Sequence, residues 1–187
     1  MRQRTAITLL GLALLAPDVS GHELQDNRAT IVLRDKINLS LTLFINYAEA
    51  LHLALSPQRP FTEFLVVYSA MTPQDLLKEI RRAEAKLQNE LKLKLAPGGE
   101  ANITNWIWPD TKQVQELLQQ RVMQAMVDPA SHTHAPQVEI HAAFVAKREV
   151  TSFQIQFPKA FQQVLVVAFR PSQQTVEANT TSAEIRF

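Results

Sequence analysis

The recurrence of Ile or Leu at every second residue from Ile37 to Ile45 is the feature that most restricts how this chain folds. Every second residue of the segment is Ile or Leu, and Asn, Ser and Thr fill three of the positions between them. Because successive side chains of a strand point to opposite faces, the pattern predicts a strand with one buried face. Residues 29–34 form a second strand-like run, and Asp35 and Lys36 are a short enough connection for a β-hairpin.

After this hairpin the apolar period changes from two to about 3.6, which is typical of helices. Residues 48–55 predict a short helix. Residues 61–70 predict another, although Val66 and Val67 would also suit a buried strand. The segment Thr72-Pro73-Gln74-Asp75 combines a capping hydroxyl, a first-turn proline and an acidic partner, so it predicts the start of a longer helix that ends near Asn89.

The second half of the chain predicts further strands around one more helix. Leu91, Leu93 and Leu95 alternate with lysines, and Pro97-Gly98-Gly99 predicts a turn into a return strand over residues 101–108. Asp110 is a candidate cap for the next helix. The remaining predicted strands cover residues 137–147, 151–157, 160–170 and 183–187.

These elements predict an α+β fold of roughly seven strands, with two or three helices inserted after the first hairpin. Strands on both sides of a helical insertion favour an antiparallel β-sandwich, in which late strands pack on early ones. The alternative is an open antiparallel sheet with helices on one face.

The N-terminus has the composition of a secretory signal peptide. Arg2 and Arg4 precede an apolar stretch over residues 6–16, which is short for a transmembrane helix, and small residues follow at 19–21. We therefore expect residues 1–21 to be a signal peptide that is removed. A retained buried helix and an uncleaved membrane anchor are the alternatives.

Cleavage between Gly21 and His22 would leave residues 22–187 as a single secreted domain in a bacterial periplasm, with no transmembrane segment. Of the 19 basic and 18 acidic residues, 17 of each would remain, so the mature charge is zero. Such a balance does not favour nucleic-acid binding. The chain has no Cys, which excludes disulfides and thiol nucleophiles.

The histidines are the candidate metal ligands. A mature N-terminal His22 would offer its α-amine and its imidazole together, a nitrogen pair that suits copper or nickel. His132 and His134 lie in a polar loop, and Glu139 and His141 share one face of the following strand. A folded-back N-terminus could meet this cluster. The competing interpretation is that His residues in a loop and on an outer strand face simply meet solvent.

Motifs for enzymatic chemistry are weak. The sequence contains no Gly-x-Ser-x-Gly, His-Glu-x-x-His or phosphate-binding glycine loop. Glu79 and Glu84 lie on a charged helix and are expected at the surface. Trp106 and Trp108 share a strand face, where a core-anchoring role is favoured over a sugar-stacking platform. His52 is expected to be partly buried and hydrogen-bonded.

The segment His22-Glu23-Leu24, followed by strand-like residues 28–34, resembles the extracytoplasmic start of hydrogenase/urease accessory membrane proteins. The order of hairpin, helices and late strands resembles small secreted proteins of unknown function, which implies an immunoglobulin-like fold. His22 also resembles the terminal histidine of periplasmic copper carriers. Transport is not implied, because the chain lacks the membrane helices of the accessory proteins.

Three functional hypotheses follow. The favoured one is a non-enzymatic periplasmic binding or accessory module whose partner is another periplasmic or membrane protein. The alternative is a periplasmic copper- or nickel-binding protein that uses His22 with His132, His134 or His141. An uncharacterised hydrolase is the least supported.

Overall fold

The computed structural model describes residues 27–127 and 136–171. Several predictions fall outside these residues and stay predictions. They are the signal peptide 1–21 and its cleavage site, His22, His132, His134 and the strand predicted at 183–187.

Four α-helices, eight strands and one 3-10 turn occur within the described residues. In chain order they are β1 (Arg28–Arg34), β2 (Asn38–Ile45), α1 (Tyr47–Leu55), α2 (Phe61–Ser69), α3 (Pro73–Glu90), β3 (Lys92–Ala96), β4 (Gly99–Ala101), β5 (Thr104–Ile107), α4 (Thr111–Val127), β6 (Val138–Val145), β7 (Ser152–Gln156), the 3-10 turn (Lys159–Phe161) and β8 (Leu165–Phe169).

The predicted hairpin is confirmed. β1 and β2 pair antiparallel, and Ile37 N–H donates to the Arg34 carbonyl at 3.2 Å to close the turn between them. Asp35 and Lys36 both have positive φ, at 49° and 62°. Positive φ at both central residues matches the twist of the flanking strands, as in a type I′ turn. Every second residue of β2 is buried, as the alternation predicted.

The strands form two sheets. The larger has the order β5-β6-β2-β1-β8, and the smaller has the order β4-β3-β7. The α+β class is thereby confirmed, but the larger sheet is not closed, and it is not wholly antiparallel because β8 runs parallel to β1. The parallel direction arises because the chain reaches β8 from the 3-10 turn, beside Asn27 at the start of β1, so both strands begin at the same end of the sheet.

The strand predicted for residues 101–108 is divided between the two sheets. β4 pairs with β3 as the predicted turn requires, whereas β5 pairs with β6 in the other sheet. A positive φ of 53° at Asn105 accompanies an irregular register in β5. The prediction of one continuous return strand was therefore wrong.

The helices pack on one another in a layer that shares one core with the two sheets, and their local signals are confirmed. Residues 61–69 are helical, and Thr72 Oγ1 accepts the Asp75 N–H at 3.2 Å at the start of α3. Asp110 Oδ1 accepts the Gln113 N–H at 2.8 Å before α4. Three helices follow the first hairpin, and the fourth, α4, follows β5, as the candidate cap at Asp110 predicted.

One continuous core lies between the inner face of the larger sheet, the helices and the smaller sheet. Tyr47, Phe64 and Phe161 are its largest fully buried side chains. Buried Asn27 connects three elements here: its Nδ2 donates to the Phe161 carbonyl at 2.6 Å and its Oδ1 accepts the Asn46 N–H at 2.7 Å. Among the described residues, no helix has the length and apolarity needed to cross a membrane.

Candidate functional site

Strand β8 is an unusually apolar part of the described surface. All five of its residues, Leu165 to Phe169, are apolar and exposed, and its four large side chains have exposed fractions of 40–49%. Within the described residues β8 has β1 on one side and no strand on the other. An uncharged apolar strand at a sheet edge is a template for pairing with another chain, and proteins ordinarily protect such edges with charges, prolines or bulges.

The direction of the β8 backbone groups shows which of them remain free. Leu165 N–H donates to the Asn27 carbonyl at 2.9 Å, so the polar groups of Leu165 face β1. Because backbone groups alternate direction along a strand, those of Val167 also face β1, and those of Val166 and Ala168 face the open edge.

A groove of about 430 Å³ lies beside this edge, between β8 and β7. Its walls are mainly apolar and include Ile31, Phe153 and Ala168. Val166 and Ala168 pair with buried Ala29 and Ile31, so their side chains lie on the inner face of the sheet, and Ala168 lines the groove. At one end, Arg170 Nη2 donates to the Val150 and Thr151 carbonyls at 2.9 and 3.3 Å. The edge therefore offers backbone hydrogen bonds and apolar contacts together.

The structure brings together only part of the predicted histidine site. His141 and Glu139 lie on the outer face of β6, both exposed, with His141 Nε2 3.3 Å from Glu139 Oε1. His141 Nδ1 lies 3.3 Å from Thr42 Oγ1 on β2. No group of three or more metal-ligating side chains occurs in residues 27–127 and 136–171. Since His22, His132 and His134 lie elsewhere, the predicted metal site stays a prediction.

His52 is buried and hydrogen-bonded, as expected. Its Nε2 lies 2.7 Å from the Arg59 carbonyl, and its ring packs between Phe61 and Phe64 at 5.3 and 5.2 Å. This histidine connects the end of α1 to the start of α2, a structural role.

The tryptophan pair fits the favoured core-anchoring interpretation. Trp106 and Trp108 stack with ring centroids 5.4 Å apart, and both are half-buried against the core. The Trp108 ring also packs beside Tyr47, with ring centroids 6.2 Å apart. Trp106 Nε1 donates to the Ile103 carbonyl at 3.2 Å. With one ring face of each indole covered by the other, the pair is a poor platform for stacking a sugar.

Glu84 is not the surface residue that its charged helix suggested. Its half-buried carboxylate accepts the hydroxyl of fully buried Tyr47 at 3.4 Å. Burial raises the pKa of Glu84 to about 7, although the Tyr47 hydrogen bond and Arg81 act in the opposite direction. Burial, followed by the charge of Glu84, raises the pKa of Tyr47 well above its ordinary value. The pair joins α1 to α3 inside the helical layer.

Sequence reasoning predicted a strand near β8 but missed its exposure. The available signal was the continuous apolar run of residues 164–169, which lacks the alternation expected of a half-buried strand. Such a run is ordinarily interpreted as a strand buried on both faces. Comparison with protein families, curated proteins and solved structures finds no match to this chain.

Proposed function

We propose that this chain is an exported, non-enzymatic module that binds another periplasmic or membrane protein by adding one of its strands to the free edge of β8. The observation that carries the proposal is β8 itself, a fully apolar strand with exposed side chains and outward-facing backbone groups at Val166 and Ala168. Strand addition uses these two resources: backbone hydrogen bonds supply affinity and side-chain pockets supply specificity.

The chemistry of the edge defines the occupant. No charge lies between Leu165 and Phe169, so an extended partner segment needs no charged residue opposite them. Every second side chain of that segment would point to the groove beside β7, which favours apolar residues at alternating positions. Export rests on the predicted signal peptide 1–21. Two sheets enclosing one core support the immunoglobulin-like relationship that we propose for the domain.

A single-cysteine cross-link tests this proposal directly. Because the chain has no Cys, Val166→Cys introduces a unique thiol at the edge, to which a photoreactive benzophenone is attached before sequencing of the cross-linked peptides. We expect the cross-linked peptide to come from another protein and to carry apolar residues at alternating positions. Cross-links to a second copy of this chain, or to residues 172–187 of the same chain, would overturn the proposal. Gln119→Cys on the exposed surface of α4 is the matched control, with no discrete product expected.

A pair of proline substitutions distinguishes a loss of binding at the β8 edge from a loss of stability. Ala168→Pro removes an N–H that faces the open edge, so we expect the Val166→Cys cross-link to disappear while the unfolding midpoint changes little. Val167→Pro removes a hydrogen bond to β1 and should destabilise the protein by about 2 kcal/mol. Retention of the cross-link in a folded Ala168→Pro variant would argue against strand addition.

The copper- or nickel-binding alternative is favoured by one observation, the exposed His141 ring beside Glu139. Calorimetric titration of the mature protein with copper tests it against His22→Ala and His141→Ala. Equal copper binding by the wild type and both variants would show that neither His22 nor His141 is a ligand.

A further inference from the structure

A second groove, of about 520 Å³, lies where α3, β3 and the 3-10 turn meet. Each of these elements contributes one lysine to its wall: Lys86, Lys92 and Lys159. Between them lie apolar side chains, namely Leu53, Leu87, Phe157 and Ala160. The volume is within the range of about 300–1,000 Å³ that is typical of small-molecule sites. This groove shares no residue with the β8 edge.

The charge of the groove is not neutralised by the acidic residues of α3. Glu79 pairs with Arg82 at 3.3 Å, and Glu84 contacts Tyr47, so neither is available to the lysines. Among the described residues, only Glu90 adds a carboxylate to the wall, which gives three ammonium groups against one carboxylate. In the described part of the chain, none of the three lysines forms an ion pair.

Lys86 is also held in place. Its Nζ donates to the Ala54 carbonyl, near the C-terminal end of α1, at 2.9 Å. An ammonium group has three donors, so two remain for a ligand. The amide side chains of Asn89 and Gln156 provide further polar atoms in the wall.

We propose that this groove binds an amphipathic anion, with a carboxylate or phosphate group among Lys86, Lys92 and Lys159 and an apolar portion on Leu53 and Phe157. Three cations that line one groove from separate elements favour an anionic head, because hydrogen bonds to charged groups are stronger than those between neutral groups. Leu53 and Phe157 are both half-buried, so part of each side chain is exposed as the apolar wall. The same chemistry is found in a free amphiphile and in a lipid headgroup, and the test distinguishes them.

Decanoate is the first probe, titrated into the mature protein by calorimetry at low ionic strength. Lys92→Gln/Lys159→Gln is the test variant, because neither side chain has a hydrogen bond within the described residues that its loss would break. We expect about tenfold weaker decanoate binding than in the wild type. Lys78→Gln/Lys94→Gln is the control, since it removes the same charge from exposed positions outside the groove and should bind normally.

Vesicles of phosphatidylglycerol are the second probe, measured by co-sedimentation. Binding of decanoate without vesicle binding identifies a free amphiphile as the ligand class, whereas vesicle binding lost only in the test variant identifies a lipid headgroup. Equal weakening in the test and control variants would overturn the proposal, because it would indicate a general charge effect. Absence of saturable binding to both probes would overturn it as well.

Discussion

β2 and β8 belong to one sheet and are both rich in large apolar residues, yet their surroundings are opposite. β2 buries Leu39, Leu41, Leu43 and Ile45 on one face and has a paired strand on each side. β8 exposes apolar side chains on both faces and pairs with β1 alone among the described residues. Apolar content therefore does not determine burial; the position of a strand in its sheet does. The difference separates a strand that stabilises the fold from one that is available to a partner.

The largest expected effect comes from truncating one aliphatic side chain to Ala in β2 and one in β8. Leu43→Ala removes a fully buried side chain and should lower the free energy of unfolding by about 3–4 kcal/mol, since it leaves a cavity. Val166→Ala, at a 40% exposed position, should cost less than about 1 kcal/mol. Chemical denaturation of the two variants measures both values. Similar losses at the two positions would show that β8 is as buried as β2.

Asn27 lies where these two regions join, so its removal should affect both. Asn27→Ala leaves the buried Asn46 N–H and the Phe161 carbonyl without their side-chain partner, at a cost of about 2 kcal/mol. Because the Asn27 carbonyl also accepts the Leu165 N–H, we expect faster hydrogen exchange at Leu165. Asn89→Ala, at an exposed position of α3, is the matched control and should change neither measurement. Unaltered exchange in Asn27→Ala would mean that β8 is held in place independently of this junction.

The same contrast explains what the sequence could predict. The hairpin turn at Asp35 and Lys36 and the helix caps at Thr72 and Asp110 depend on residues within a few positions of each other, and they are confirmed. Local patterns are reliable because each determines its own hydrogen bonds. The parallel placement of β8 depends on where the chain returns after β7, and no local pattern encodes that choice.

The predictions of side-chain environments failed for the same reason. Glu84 resembles any exposed residue of a charged helix until Tyr47, 37 positions earlier, is placed against it. Lys86 and Lys92 lie among Glu79, Glu84 and Glu90 in the sequence, an order that by itself indicates no excess of positive charge. Instead, two of those acids have other partners and Lys159 joins the lysines from a distant segment. Of the predicted metal ligands, only His141 lies in the described residues, so the metal site stays a prediction.

The smallest expected effect concerns the Tyr47–Glu84 contact between α1 and α3, and it depends on pH. The pKa of Glu84 is about 7 in the folded protein, above its ordinary 4.5, so the folded state binds more protons than the unfolded state between these values. The free energy of unfolding should therefore decrease as the pH rises from 4.5 through 7.

Glu84→Gln keeps an acceptor for the Tyr47 hydroxyl and stays neutral. We expect it to match the wild type at pH 4 and to be about 1 kcal/mol more stable at pH 8, a value reduced for partial exposure. Denaturation across this pH range, with exposed Glu116→Gln as the control, measures the difference. If Glu84→Gln kept the wild-type pH dependence, the titration would have to be assigned to another group. A strand-edge variant such as Val166→Ala should retain the dependence, since β8 lies outside the Tyr47–Glu84 contact.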